Sequence, residues 1–172
     1  MRAHQCYELA QEALKLSERR DPLEIAESLG IHVLFEDDYK DLLGMYYANW
    51  GNRFIFLNNR LDDIWMPMVL AHEIGHDQLH RDLASQTLQE FNLFQMQSRT
   101  EYEANAFAAH LLLENDEVYD RLREGCDIPT LAKEMNVNIN LMLIKLQEMA
   151  ALGYDLRVSD CGDSHFFKNI HT

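Results

Sequence analysis

The chain has 172 residues, with 15 Lys and Arg against 29 Asp and Glu, a formal charge of −14. That acidity argues against a dedicated phosphate-binding surface, which needs surplus cations to displace counterions, and it favours a basic protein as partner. No apolar run reaches the roughly 18 residues that cross a bilayer, and the N-terminal segment lacks the apolar stretch of a signal peptide. Cys6, Cys126 and Cys161 are too few and too scattered for a disulfide framework. A cytoplasmic protein is expected, without membrane contact or direct nucleic-acid binding. Its length suits one compact domain with a small appendage, and no feature of the sequence fixes an oligomeric state.

Residues 3–19 place Leu9, Ala10, Ala13, Leu14 and Leu16 near one side of an amphipathic helix. Asp21-Pro22-Leu23-Glu24 starts a second helix, with Asp as cap, Pro at the first position and Glu three residues on. Leu29-Gly30 ends it, and Ile31, Val33 and Phe35 then alternate as in a strand. Residues 44–57 read as a β-hairpin around Asn49-Trp50-Gly51-Asn52, with an edge on which an extended substrate can pair. Asp62 or Asp63 caps a long amphipathic helix reaching about His80, with Pro67 near its start. Residues 81–99 show no clear periodicity. Helix resumes over 100–113, its buried side formed by Ala104, Phe107, Ala108, Leu111 and Leu112. A short helix closes at Gly125, and two more span 127–152 around Asn136-Val137-Asn138.

The informative run is His72-Glu73-Ile74-Gly75-His76. Residues i and i+4 of a helix project one turn apart on one face, so both imidazoles reach a single metal ion. Zinc accepts imidazole nitrogen and takes three protein ligands plus water when the site is catalytic. Glu73 then stands beside the ion as a base for water. His80 lies on the same face but is about 12 Å from His72 along a straight helix, too far to share the ion; it suits a supporting hydrogen bond or the helix C-terminus. Leu79 and Asp82 stand where an extended metalloprotease motif has glycine and a further ligand. The third ligand is better sought at 100–113, where Glu101 and Asn105 share a face. Glu101 is favoured as the ligand, with Asn105 orienting a histidine. Glu103, about 200° away around the helix, is the alternative ligand.

These two blocks, Ala71-His72-Glu73-Ile74-Gly75-His76 through Leu79-His80 and Glu101-Tyr102-Glu103-Ala104-Asn105-Ala106-Phe107-Ala108-Ala109 with Leu111-Leu112, are 25 residues apart from His76 to Glu101. Together they resemble the ImmA/IrrE metallo-endopeptidase family over about residues 20–150. The resemblance implies an HExxH zincin of the gluzincin type. Its ligands to Zn2+ would be His72, His76 and Glu101, with Glu73 as general base and Asn105 supporting a ligand. Where the family commonly has proline after its Leu-Leu pair, this chain has Leu113-Glu114. The implied fold class is α+β: a small three-stranded antiparallel sheet on the active-site helix, with a mostly helical remainder. Residues 1–125 would form the metallopeptidase domain, and 126–172 a helical appendage and tail packed on it. The implied activity is cleavage of a basic helix-turn-helix repressor of a phage or mobile element. The alternative is a non-catalytic regulator that binds the repressor and keeps only a structural or vestigial metal site.

Weaker signals remain. Tyr46, Tyr47, Tyr102, Arg99 and His110 are candidate oxyanion donors. Residues 127–152 suggest a helix-turn-helix, but Lys133 and Lys145 are offset by Asp127, Glu134 and Glu148, which disfavours DNA. Met135, Met142 and Met149 read as core. Cys161, in the tail, would hold the enzyme latent if it reached the zinc.

Overall fold

The computed structural model describes residues 2–17, 19–83, 88–90, 93–94 and 98–156; Cys161 and the rest of the tail lie outside them. The order is α1 (Arg2–Leu14), α2 (Pro22–Ser28), β1 (His32–Glu36), β2 (Gly44–Asn49), β3 (Asn52–Asn58), α3 (Trp65–Leu79), a 3₁₀ turn (Arg81–Leu83), β4 (Leu88–Glu90), α4 (Arg99–Leu112), α5 (Asn115–Arg123), α6 (Ile128–Glu134) and α7 (Ile139–Ala151). The fold class is α+β.

Local chemistry sets most of these boundaries. The Asp21 carboxylate accepts from Leu23 N–H to cap α2, and Gly30 leaves the helix with φ +73. Asp62, not the residue adjoining the helix, caps α3 by accepting from the amides of Ile64 and Trp65. Ser98, Asp127 and Asn138 do the same for α4, α6 and α7.

The sheet has strand order β1-β3-β2-β4 and is mixed rather than antiparallel throughout. β2 and β3 form the expected hairpin, from Gly44 opposite Leu57 to Asn49 opposite Asn52. β1 runs parallel to β3, His32 opposite Phe54. A fourth strand, unmarked by any periodicity, adds antiparallel to β2 with Leu88 opposite Tyr46. The hairpin edge expected to be open is therefore covered over Gly44–Tyr46.

α3 is enclosed rather than amphipathic: every residue from Met68 to Asp77 is buried. It lies between the sheet and α4, and α1 and α7 close over α4. That enclosure buries α4 from Ala104 through Leu111 on all sides, not along one stripe. A second apolar cluster joins Leu113, Val118, Ile128, Leu131, Ala132, Met142, Leu146 and Met149. α7 contributes Leu141 and Ile144 to the main core as well, tying the two together. Lys145, one of the cations weighed for DNA contact, is 1% exposed and donates to the Leu113 carbonyl.

Candidate metal centre

α3 carries His72, Glu73 and His76, all buried, and α4 faces them with Glu101, whose side chain is 23% exposed and marks the open side. Gly75 allows this approach. A Cβ there would lie 3.0 Å from both Cα and O of Ala104, so any larger residue pushes the two helices apart. Gly44 plays a similar part for the sheet: a Cβ there would meet Val69 at 2.7 Å and Glu73 Oε1 at 2.9 Å.

His72 Nε2 and His76 Nε2 are 3.0 Å apart. Glu101 Oε2 lies 3.3 Å from the first and Oε1 3.5 Å from the second. The hydrogen-bond partners fix where the protons sit. Asn105 commits its Nδ2 to the Leu93 carbonyl at 2.5 Å, so its Oδ1, 3.1 Å from His72 Nδ1, accepts a proton from that nitrogen. On the other side His80 Nε2 lies 3.1 Å from Glu103 Oε2, and Arg99 donates to Oε1 of the same carboxylate. Burial works against ionisation of Glu103, but hydrogen bonds and charge from Arg99 and His80 hold its carboxyl below the ordinary value. With His80 neutral, its Nε2 donates to Glu103 and its Nδ1 accepts from His76 Nδ1 at 3.2 Å. In that arrangement both ligand-bearing imidazoles carry their proton on Nδ1 and turn an unprotonated Nε2 inward, toward each other and Glu101.

Two lone pairs and a carboxylate converging at these distances repel one another unless a cation sits between them. Ligand atoms 2.0–2.1 Å from a tetrahedral ion lie about 3.3 Å apart, which is the spacing found. His72, His76 and Glu101 have ligand atoms all within 4.8 Å of one another, so the donor set fits a divalent ion. Burial, foremost, pushes His76 down to about 4, keeping it in the neutral form that metals require.

Glu103 lies outside the converging group and belongs to the His80–Arg99 chain. His80 does not approach the group's centre but supports His76. Three of the five candidate oxyanion donors give protons to carboxylates. Tyr46 donates to Asp77, Tyr102 to Glu148, and Arg99 to Glu103. The Tyr47 hydroxyl accepts from Asn49, and His110 is buried beside Lys145 and Glu148.

Sequence reasoning passed over Asp77. It is fully buried and accepts from Tyr46, Arg53, Gln78 and Arg81, locking the sheet onto the helix one residue past His76. It also passed over Tyr39, whose phenol is pushed up by burial and by the charges of Glu36 and Glu73, which sets it within electrostatic reach of Glu73. Asp77 had one local cue, its i,i+4 spacing to Arg81, but its partners Tyr46 and Arg53 come from the distant hairpin, and Tyr39 meets Glu73 only through the fold.

The sequence model of the IrrE N-terminal-like domain, Peptidase_M78, matches residues 26–147, a span that includes the sheet, α3 and α4. A protein named "Uncharacterized immunity region protein 2", from Bacillus phage phi105, is 32% identical over 103 residues. The match covers 60% of this chain and 65% of that relative's length.

Proposed function

The chain belongs to the IrrE N-terminal-like family of metallopeptidases, M78, and from that premise we propose that it is a zinc endopeptidase acting as an anti-repressor. Its substrate in this reading is the basic helix-turn-helix repressor of a phage or mobile element, met in the cytoplasm. The observation that carries the chemistry is the convergence of His72, His76 and Glu101 on one point, with Glu73 buried in the same helical turn. The phage relative's immunity-region name supports the repressor setting.

His72, His76 and Glu101 would hold the ion. When bound, a divalent ion supplies Lewis acidity to the scissile carbonyl and makes water acidic enough to be deprotonated near neutral pH. Glu73 takes the proton from that water and returns it to the departing amine. Glu73 is fully buried, between the two histidines on α3. A purely structural metal site has no use for a carboxylate between its histidines. Asn105 and His80 orient the two ligands. We assign residues 1–125 to the peptidase domain and 126–172 to an appendage and tail, of which α6 and α7 pack on that domain.

The test is to mix the zinc-loaded protein with the repressor encoded beside it and follow fragments by mass spectrometry. The wild-type protein is expected to yield two fragments. Glu73→Gln is expected to retain zinc and yield none, and cleavage by that variant at the wild-type rate would overturn the mechanism.

A further inference from the structure

The sheet has two faces. α3 packs on the one that carries Tyr46, Ile55 and Leu57, three residues of the main core. The other presents Leu34 from β1, Phe54 and Phe56 from β3 and Tyr47 from β2, aligned by register with Leu34 beside Phe56 and Phe54 between its parallel and antiparallel neighbours. None of these four belongs to either apolar cluster. Leu34 is 42% exposed, and the Phe54 and Phe56 rings stack with centroids 6.1 Å apart.

At one end of this face stands the hairpin tip, where Trp50 is 95% exposed with φ +48. The two-residue turn needs left-handed backbone at both central positions, which Asn and Gly accept and a bulky aromatic does not. The largest apolar side chain thus sits in a strained conformation, fully in water, where asparagine would be cheaper. Strain held against a better alternative points to function. At the opposite end β1 runs into Glu36-Asp37-Asp38-Tyr39-Lys40-Asp41, an acidic loop that leads to Gly44 against Glu73.

We propose that this face, from Trp50 to the Glu36–Asp41 loop, is the docking surface for the protein substrate: a basic folded protein presenting an apolar patch. The proposal rests on the peptidase reading for the identity of that partner. Charge selects it. An aromatic face rimmed by acid at one end fits a basic protein, and tryptophan is the residue that most often anchors such contacts. A second copy of a chain of charge −14 would bring its own acidic loop against this one, and an anionic membrane would meet the same repulsion. Seated here, a substrate lies along the strand whose inner side abuts Glu73.

The test uses Trp50→Asn, alone and with Leu34→Ser, measured with the helix-turn-helix repressor and with a short peptide spanning the cut bond. Trp50→Asn is expected to raise the melting temperature, because Asn tolerates the turn. In a Glu73→Gln background the double variant is expected to weaken repressor binding by about ten-fold or more, with salt slowing the association. With Glu73 intact, zinc affinity and cleavage of the short peptide by the double variant stay as in the wild type. Unchanged repressor affinity overturns the docking surface and leaves the peptidase reading standing. Variant-sensitive binding of a repressor that the zinc-loaded protein never cuts supports the surface and overturns the peptidase reading. No repressor binding by any form overturns both. Wild-type dimers that the substitutions dissociate, or variant-sensitive binding to anionic phospholipid vesicles with repressor affinity unchanged, assign the face to another occupant and overturn the proposal.

Discussion

Each imidazole at the centre has two nitrogens, and the residue that occupies one decides what the other can do. Asn105 holds the His72 proton on Nδ1 directly, whereas Glu103 acts on His76 only through His80. This ordering predicts zinc affinities, measured by competition with a chromophoric chelator. Glu101→Ala, which removes a ligand, is expected to lose more than the roughly 10–100-fold typical of a residue that supports a ligand, and Asn105→Ala to fall within that range. Glu103→Ala, one residue further removed, is expected to lose no more than about ten-fold. A larger loss from Glu103→Ala than from Glu101→Ala would mean that the ion is held elsewhere. The pair on α3 was legible in the sequence because one helical turn is a local rule. The part played by Glu103 was not, since its partner His80 is 23 residues away in the chain and the geometry depends on how α3 and α4 cross.

That crossing is an element-scale property, and Gly75 sets its closeness. Gly75→Ala in a helix interior gains about 1 kcal/mol of helix propensity. Against this, a Cβ 3.0 Å from two Ala104 backbone atoms and 3.3 Å from Phe107 Cβ forces α4 outward, and overpacking of this kind costs about 1–3 kcal/mol. The urea midpoint is therefore expected to fall modestly. Zinc affinity is expected to fall more clearly, because the displaced helix is the one that carries Glu101; a variant with wild-type zinc affinity would show that the helices need not touch here. Caps and turn residues made most helices and the β2–β3 hairpin readable from sequence. They failed where pairing is chosen by tertiary context. The five residues of β1 do not encode a parallel partner, and three-residue β4 is too short to show a period. The enclosed α3 also departs from its expected amphipathic pattern, because residues that look polar on paper are buried, His72, Glu73 and His76 at the site and Asp77 where it ties the helix to the sheet.

At the scale of the whole molecule, folding removes several ionisable groups from water, and each leaves a sign in the dependence of stability on pH. Burial, foremost, lowers His76 from 6.5 to about 4 and lowers His110 as well. The unfolded chain takes up those protons first, so stability is lost as pH falls below 6.5. Burial likewise lowers Lys145 from 10.5 to about 7 in the cluster where it meets His110 and the Leu113 carbonyl. Between those values the unfolded chain holds a proton that the folded chain has released, and stability rises with pH at up to about 1.4 kcal/mol per unit. Above 9 the sign reverses. Burial raises Cys6 from 9.0 to about 12 and also raises Tyr46 and Tyr102, so the unfolded chain ionises first and gains. Metal-free protein is thus expected to be most stable near pH 9 rather than at neutrality, as read from urea midpoints across the range. Lys145→Met is expected to remove the rise between 7 and 9 and leave the loss below 6.5 intact. A flat wild-type profile from 7 to 9 would show that Lys145 keeps its proton inside the fold. Zinc should raise stability across the range and extend the acid limb below about 4, where the metal-free folded chain would otherwise protonate His76, while leaving the rise due to Lys145 unchanged.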